Sequence, residues 1–154
     1  MTTIALALQA VKERIAACAK AAHRAPQEIQ LVAVSKALPA RKIDEAYRAG
    51  QTAFGESYAQ EGLEKILALK SLPLEWHFIG PIQSNKTRVI AEHFSWVHSI
   101  ERGKIAERLS RGLLLSGVAC GRSLGQQRNL AGIAQFTQGG ESGGAHRDVL
   151  ASRS

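Results

Sequence analysis

The chain has 154 residues, of which 45% are apolar and 21% charged, with a formal net charge of +7 and a pI near 9.9. This composition is typical of one modest globular domain. The basic residues are interleaved with acidic ones, without a basic stripe or an aromatic stacking platform, so we expect no nucleic-acid partner. No apolar run is long enough to predict a membrane partner.

The cysteines and the N-terminal sequence indicate the cellular compartment. Cys18 and Cys120 stand far apart and form no CxxC pair, which argues against a metal site and against a disulfide framework. The N-terminus has no basic segment leading into a long apolar run, which argues against a signal peptide. We therefore expect a cytoplasmic protein without a metal.

The first elements in chain order are a helix, a strand and a second helix. A helix is predicted over about 3 to 22, because apolar residues recur there at steps of three and four. Its predicted inner face consists of Ile4, Leu8, Val11, Ile15, Cys18 and Ala22. A strand-like run over 28–35 follows, and the next helix is expected between Pro39, which suits a first turn, and Gly50, a natural stop.

Three more strand and helix pairs follow in the same order. The strands are predicted at 52–57, 74–81 and 96–100, and the helices at 58–70, 84–94 and 101–110. Leu63, Ile66 and Leu67 are expected to face inward, and Ser84 is expected to cap its helix. Strand ends separated by about 20 to 25 residues are too far apart for hairpins, so the strands should pair in parallel.

A parallel βα series occurs in doubly wound sheets and in (β/α)8 barrels, and in both the ligands collect at the carboxyl ends of the strands. The residues at those ends are Ser35, Lys36, Glu56, Ser57, Gly80, Pro81 and Ser99. No GxGxxG or Walker pattern is present, which weighs against a nucleotide-cradling loop. Dinucleotide binding therefore loses its main support in the sequence.

Lys36 closes the apolar run LVAVSK (31–36). A lysine at the mouth of an apolar barrel is desolvated, which lowers the pKa of its amine and favours attack on an aldehyde. The alternative is an ordinary strand-terminal lysine that buries its stem and extends its ammonium group into water. The residues alone leave both interpretations open.

Four segments carry a family resemblance: LVAVSK (31–36), AGQTAFGESYAQE (49–61), LEWHFIGPIQSNK (74–86) and HFSWVHSIER (93–102). In order and spacing they resemble the pyridoxal phosphate homeostasis proteins, which are related to the N-terminal barrel domain of alanine racemase. The resemblance covers about residues 1–110. It implies an α/β fold, a partial (β/α)8 TIM-type barrel of about four βα units preceded by an N-terminal helix.

The resemblance also implies a cofactor and its site. Lys36 matches the lysine that forms a Schiff base with pyridoxal 5'-phosphate in a family without a settled turnover reaction, so we expect a carrier without catalytic residues. Ser57, His77 and Asn85 complete the expected cofactor-binding set. Ser57 stands where the family's FGEN pattern has an asparagine, which puts that contact in question. On its strand His77 either faces the pocket or packs in the core. Asn85 lies at a predicted helix N-terminus, which favours anions, and the alternative is that the polar residues there are solvated.

The resemblance stops near Arg111. Residues 111–154 hold nine of the 14 glycines and no lysine or proline, which indicates either a disordered linker or translation in a shifted frame. QRNLAG (127–132) can be encoded by nucleotides whose neighbouring frame gives Ala-Lys-Ser-Gly-Gly, similar to an SKSG segment of the family.

The segments that the resemblance implies beyond this point, four more strands and the phosphate-binding loops, are not recognisable in the sequence of residues 111–154. We therefore expect open sheet edges that allow self-association, and impaired cofactor binding. The alternatives are an inactive truncated fragment, or a fragment of a pyridoxal phosphate-dependent amino-acid racemase.

Overall fold

The computed structural model describes residues 3–115, with side chains as far as Gly112. From residue 116 onward the predicted tail, including the segment that suggested a shifted frame, lies outside the described residues. The last helix continues through Leu115, so it passes the predicted domain boundary at residue 110.

Helices and strands alternate along the chain as predicted. They are α1 (Thr3–Ala21), β1 (Ala33–Val34), α2 (Ala40–Arg48), β2 (Ala53–Glu56), α3 (Ala59–Ala68), β3 (Glu75–Phe78), α4 (Thr87–His93), β4 (Trp96–Val97) and α5 (Gly103–Leu115), with a 3-10 turn at Pro26–Glu28. The four strands form one parallel sheet in the order β1-β2-β3-β4, which confirms the α/β class. This order has no reversal, as in consecutive strands of a (β/α)8 barrel and unlike a doubly wound sheet. The fold is therefore consistent with the predicted partial barrel.

The described chain consists of two compact units that divide between His77 and Phe78. In the first unit all four residues of β2 are buried, as expected for a parallel strand covered on both faces. Phe54 of β2 and Trp76 of β3 are both buried, with ring centroids 6.1 Å apart. Gly50 ends the α2 segment with a φ of +81°, a conformation that glycine adopts without strain.

The core of the second unit is built by α4 and α5. Ile90 of α4 and Leu109 of α5 are fully buried, and Phe78 meets Phe94 edge to face with ring centroids 5.3 Å apart. α4 begins at Thr87 rather than at Ser84, so the predicted cap at Ser84 is wrong. Ser84 lies in the turn before α4, where its carbonyl accepts hydrogen bonds from Thr87 Oγ1 and Arg108 Nη1.

The predicted inner face of α1 is only partly correct. Ile4, Leu8 and Ile15 are half-buried, whereas Val11 and Cys18 are exposed, and Ala19 is the buried residue of this helix. Among the described residues α1 packs mainly on α2 and the 3-10 turn, which together cover a narrow stripe of it.

The predicted inner face of α3 is wrong. Leu67 is 56% exposed and Leu63 and Ile66 are only half-buried, while the buried residues are Ala59, Gly62 and Lys65. The helix turns a lysine inward because this side chain has charged partners there, as described below.

β1 is shorter than the predicted run over 28–35 and comprises two residues. Val34 on this strand is 52% exposed, and β2 is the strand that pairs with β1 in the described sheet. Self-association through such an edge stays a prediction. Within residues 3–115, no helix combines the length and the apolar character that a membrane span requires.

Candidate functional site

The carboxyl ends of β1 and β2 lie side by side in the first unit. Ala33 pairs with Phe54 and Val34 with Gly55, and the amide of Ser35 donates to the carbonyl of Gly55 at 2.9 Å. Because the strands run in parallel, the residues that follow them leave the sheet at the same edge. Those residues are Lys36 after β1 and Ser57 after β2.

Glu56, the last residue of β2, is 0% exposed. Its Oε1 accepts hydrogen bonds from Ser35 Oγ at 2.6 Å and from Lys65 Nζ at 2.8 Å. Its Oε2 is buried without a hydrogen-bond partner in the described part of the chain. A carboxylate buried to this degree is costly unless a cation and hydrogen bonds compensate it, and here both reach the same oxygen.

Lys65 of α3 is that cation, and it is 6% exposed. Its ammonium group donates to the carbonyl of Ser35 at 2.7 Å, to Glu56 Oε1 at 2.8 Å and to Glu61 Oε1 at 2.6 Å. An ammonium group has three N–H donors, so this side chain is fully occupied. We call Glu56, Glu61 and Lys65 the Lys65 cluster.

The Lys65 cluster is hydrogen-bonded to the turn that carries Lys36. The amide of Leu38 donates to the carbonyl of Ser35 at 3.1 Å, which closes a four-residue turn with Lys36 and Ala37 in its centre. Ala37 has a φ of +61°, a left-handed conformation that costs a non-glycine residue about 1–2 kcal/mol. Its amide donates to Glu61 Oε1 at 2.7 Å, a charge-assisted bond that helps to offset this cost.

Lys36 itself is exposed, so the predicted desolvation of its amine is wrong for the described part of the chain. A barrel mouth would desolvate the amine through walls on several sides, and the described residues provide a sheet of four strands. Among those residues, none forms an ion pair or a hydrogen bond with the Lys36 ammonium group. The amine is thus accessible, while the backbone on either side of it is held.

The hydrogen bond from Lys65 is the main cause that lowers the pKa of Glu61 below its ordinary value; burial opposes this, and the Ala37 amide adds to the lowering. A carboxyl group whose pKa is lower in the folded state contributes stability above its unfolded pKa, and this contribution is lost as the pH falls through the folded pKa. We therefore expect the chain to lose stability when the pH falls below about 4, near the ordinary glutamate pKa.

Urea unfolding midpoints measured across this pH range, for the wild-type chain and for Glu61→Gln, test the assignment. The wild type should lose more stability on acidification than the variant. Equal losses in both proteins would show that Glu61 does not couple to folding.

Comparison with known proteins gives this geometry a context. The chain is 58% identical over 110 residues to the pyridoxal phosphate homeostasis protein of Pseudomonas aeruginosa, and 53% identical over 113 residues to that of Escherichia coli strain K12. The N-terminal 70% of the chain is homologous to the pyridoxal phosphate homeostasis proteins. Both matches cover 71% of this chain and 48% of the relative, so the chain spans about half the length of the curated relatives it matches. No family model matches the chain.

Solved structures agree with this homology. PipY of Synechococcus elongatus with pyridoxal phosphate bound is 45% identical, with a TM-score of 0.59 over 70% of this chain and 50% of that chain. The same protein without the cofactor gives 46% identity and the same TM-score over 69% and 48%. A member of this homologous group therefore binds pyridoxal phosphate.

The described residues fit part of what this cofactor needs. An exposed, unpaired lysine amine on a fixed turn suits the aldehyde of pyridoxal phosphate. Ser57 is half-buried and directly follows β2, at the same edge of the sheet as the turn after β1 that carries Lys36. The structure thus brings two of the four predicted site residues to neighbouring strand ends.

The other two predicted site residues lie in different settings. His77 is buried within β3, with its Nε2 3.7 Å from Glu75 Oε2. Asn85 belongs to the second unit and is exposed, in the turn that precedes α4. Their contact with a cofactor stays a prediction.

Sequence reasoning missed Lys65 and Glu61. The signal that could have found them is a glutamate four residues before a lysine in α3, together with a glutamate at the end of a buried strand. A buried carboxylate requires a cation, and Lys65 was available at the right helical position.

Proposed function

We propose that this chain binds pyridoxal 5'-phosphate covalently through the amine of Lys36 and acts in vitamin B6 homeostasis as a carrier. The observation that supports this most directly is the exposed amine of Lys36, which has no partner among residues 3–112 and lies on a turn fixed by the Lys65 cluster. The homologous PipY, with pyridoxal phosphate bound, supports the choice of cofactor.

The chemistry is a condensation. The unprotonated Nζ of Lys36 attacks the aldehyde carbon, a C=N bond forms, and the aldehyde oxygen leaves as water. The step is reversible and consumes no oxidant or reductant, which suits storage and release of the cofactor. Lys65 cannot compete for the aldehyde, because all three of its N–H donors are bound inside the protein.

Affinity should be modest. Charge-assisted hydrogen bonds to phosphate are among the strong polar contacts, and a site with few of them holds a phosphorylated ligand weakly. The chain matches about half the length of its curated relatives, and we propose that this matched half supplies the amine and that the phosphate contacts among the described residues are few.

A spectroscopic titration tests this function. Pyridoxal 5'-phosphate added to the purified chain should produce an absorption band distinct from that of the free aldehyde, and Lys36→Ala should abolish it. The matched control is Lys70→Ala, which removes another exposed lysine and should leave the band intact. A band of equal size in Lys36→Ala would contradict the proposal.

We further propose that the chain is a carrier and not a catalyst, in a reducing cytoplasm that is compatible with the free thiol of Cys18. Incubation of the cofactor-loaded chain with each enantiomer of alanine should leave the optical rotation unchanged. A steady change in rotation that depends on Lys36 would instead support the racemase alternative.

A further inference from the structure

The turn Ser35–Leu38 is held by charged side chains from outside it. Ser35 Oγ donates to Glu56, the carbonyl of Ser35 accepts from Lys65, and the amide of Ala37 donates to Glu61. These bonds hold the residues immediately before and after Lys36, and none of them uses the Lys36 side chain.

We propose that Lys65 and Glu61 are positioning residues that fix the direction in which Lys36 presents its amine. The inference rests on the proposed function, because it takes Lys36 as the amine that condenses with pyridoxal phosphate. The two lysines then divide their roles. Lys65 is buried and saturated with hydrogen bonds, whereas Lys36 is exposed and has no partner within the described part of the chain.

The conformation of Ala37 explains why the turn needs such support. At a φ of +61° its Cβ is crowded, so an unsupported alanine would favour negative φ values and change the path of the chain after Lys36. The hydrogen bond from the Ala37 amide to Glu61 stabilises the left-handed conformation. Lys65 in turn holds Glu61 in place, because its Nζ donates to Glu61 Oε1 at 2.6 Å. Loss of Glu61 should therefore release Ala37 and spread the Lys36 amine over several directions.

The test uses Glu61→Ala in the full chain, since Glu61 is partly exposed and its removal should be better tolerated than loss of buried Lys65. We expect the absorption band of Lys36 condensation to appear roughly tenfold more slowly, because a reacting group displaced by about 1 Å can lose far more than this. The Ala37 amide should also exchange its proton faster. The matched control is Glu64→Ala, an exposed glutamate of the same helix, which should change neither quantity.

A rescue experiment separates positioning from general destabilisation. Glycine adopts a positive φ without steric cost, so Ala37→Gly added to Glu61→Ala should recover part of the rate. The two rates are compared under conditions where urea unfolding shows both variants to be folded, so that the stability that glycine adds at a positive φ cannot account for a faster reaction.

The outcomes distinguish the two proposals. A wild-type chain that shows no Lys36-dependent band overturns the proposed function, and positioning falls with it. A wild-type chain that shows the band, with Glu61→Ala equally fast, overturns positioning alone. A slow Glu61→Ala chain that Ala37→Gly fails to speed up also overturns positioning.

Discussion

Replacing Lys65 by methionine is expected to lower the free energy of unfolding by about 3–5 kcal/mol, the usual effect of removing one partner from a buried ion pair. The variant leaves the fully buried carboxylate of Glu56 without its cation. Since a small domain has about 5–15 kcal/mol of stability in total, this loss is a large share of it. Urea unfolding followed by tryptophan fluorescence, to which Trp76 of the first unit and Trp96 of the second unit both contribute, measures the change.

Two further variants make this measurement specific. Lys70→Met removes an exposed lysine two residues after the end of α3 and should change the free energy of unfolding by about 0.5 kcal/mol at most. Glu56→Leu added to Lys65→Met removes both charges and should recover part of the loss, because no buried carboxylate is then left alone. An unchanged urea midpoint for Lys65→Met would contradict the buried cluster.

Replacing Phe54 by alanine should also cost about 3–5 kcal/mol, the range for a large aromatic removed from a core. Phe54 is 2% exposed on β2 and packs against Trp76, so the variant leaves a cavity at the centre of the first unit. Thermal unfolding measured by circular dichroism should show a clearly lower transition temperature for Phe54→Ala.

The matched control for the core is Leu67→Ala. The sequence pattern places Leu67 on an inner face, whereas the structure leaves it 56% exposed, so its removal should cost much less than that of Phe54. Comparable losses in the two variants would show that α3 buries the face predicted from its leucines.

The alternation of strands and helices was predictable because each depends on local pattern. The predicted helix over 3–22 is α1 (Thr3–Ala21), and Gly50 ends the α2 segment as expected. Parallel pairing also followed from the sequence, because hairpins cannot span the long connections. These features need no knowledge of which side chains meet in space.

Helix faces were less predictable, because burial depends on partners that are distant in sequence. α3 turns Lys65 inward because its ammonium group donates hydrogen bonds to Glu56 of β2 and to the carbonyl of Ser35, which follows β1. Both partners are distant from Lys65 in sequence. A hydrophobic pattern assigns a lysine to the surface. In this helix the ion pair with Glu56 compensates the cost of burying the Lys65 ammonium group. The predicted desolvation of Lys36 was wrong for a similar reason. It assumed barrel walls around the amine, and the described residues do not provide them.

The candidate site shows the same division. Lys36 could be selected because it closes an apolar run and matches a family motif. The turn that holds it could not, because a left-handed Ala37 carries no sequence signal of the kind that glycine gives. His77 was selected from the alternation along its strand and Asn85 from its place at a predicted helix N-terminus, and their roles in cofactor binding stay predictions.

The most direct measurement is a map of the lysine that carries the cofactor. The full chain is mixed with less than one equivalent of pyridoxal 5'-phosphate, reduced with borohydride, digested and analysed by mass spectrometry. The account predicts that the reduced adduct lies predominantly on Lys36 and that Lys65 is unmodified. An adduct spread evenly over the exposed lysines, or absent from Lys36, would contradict it.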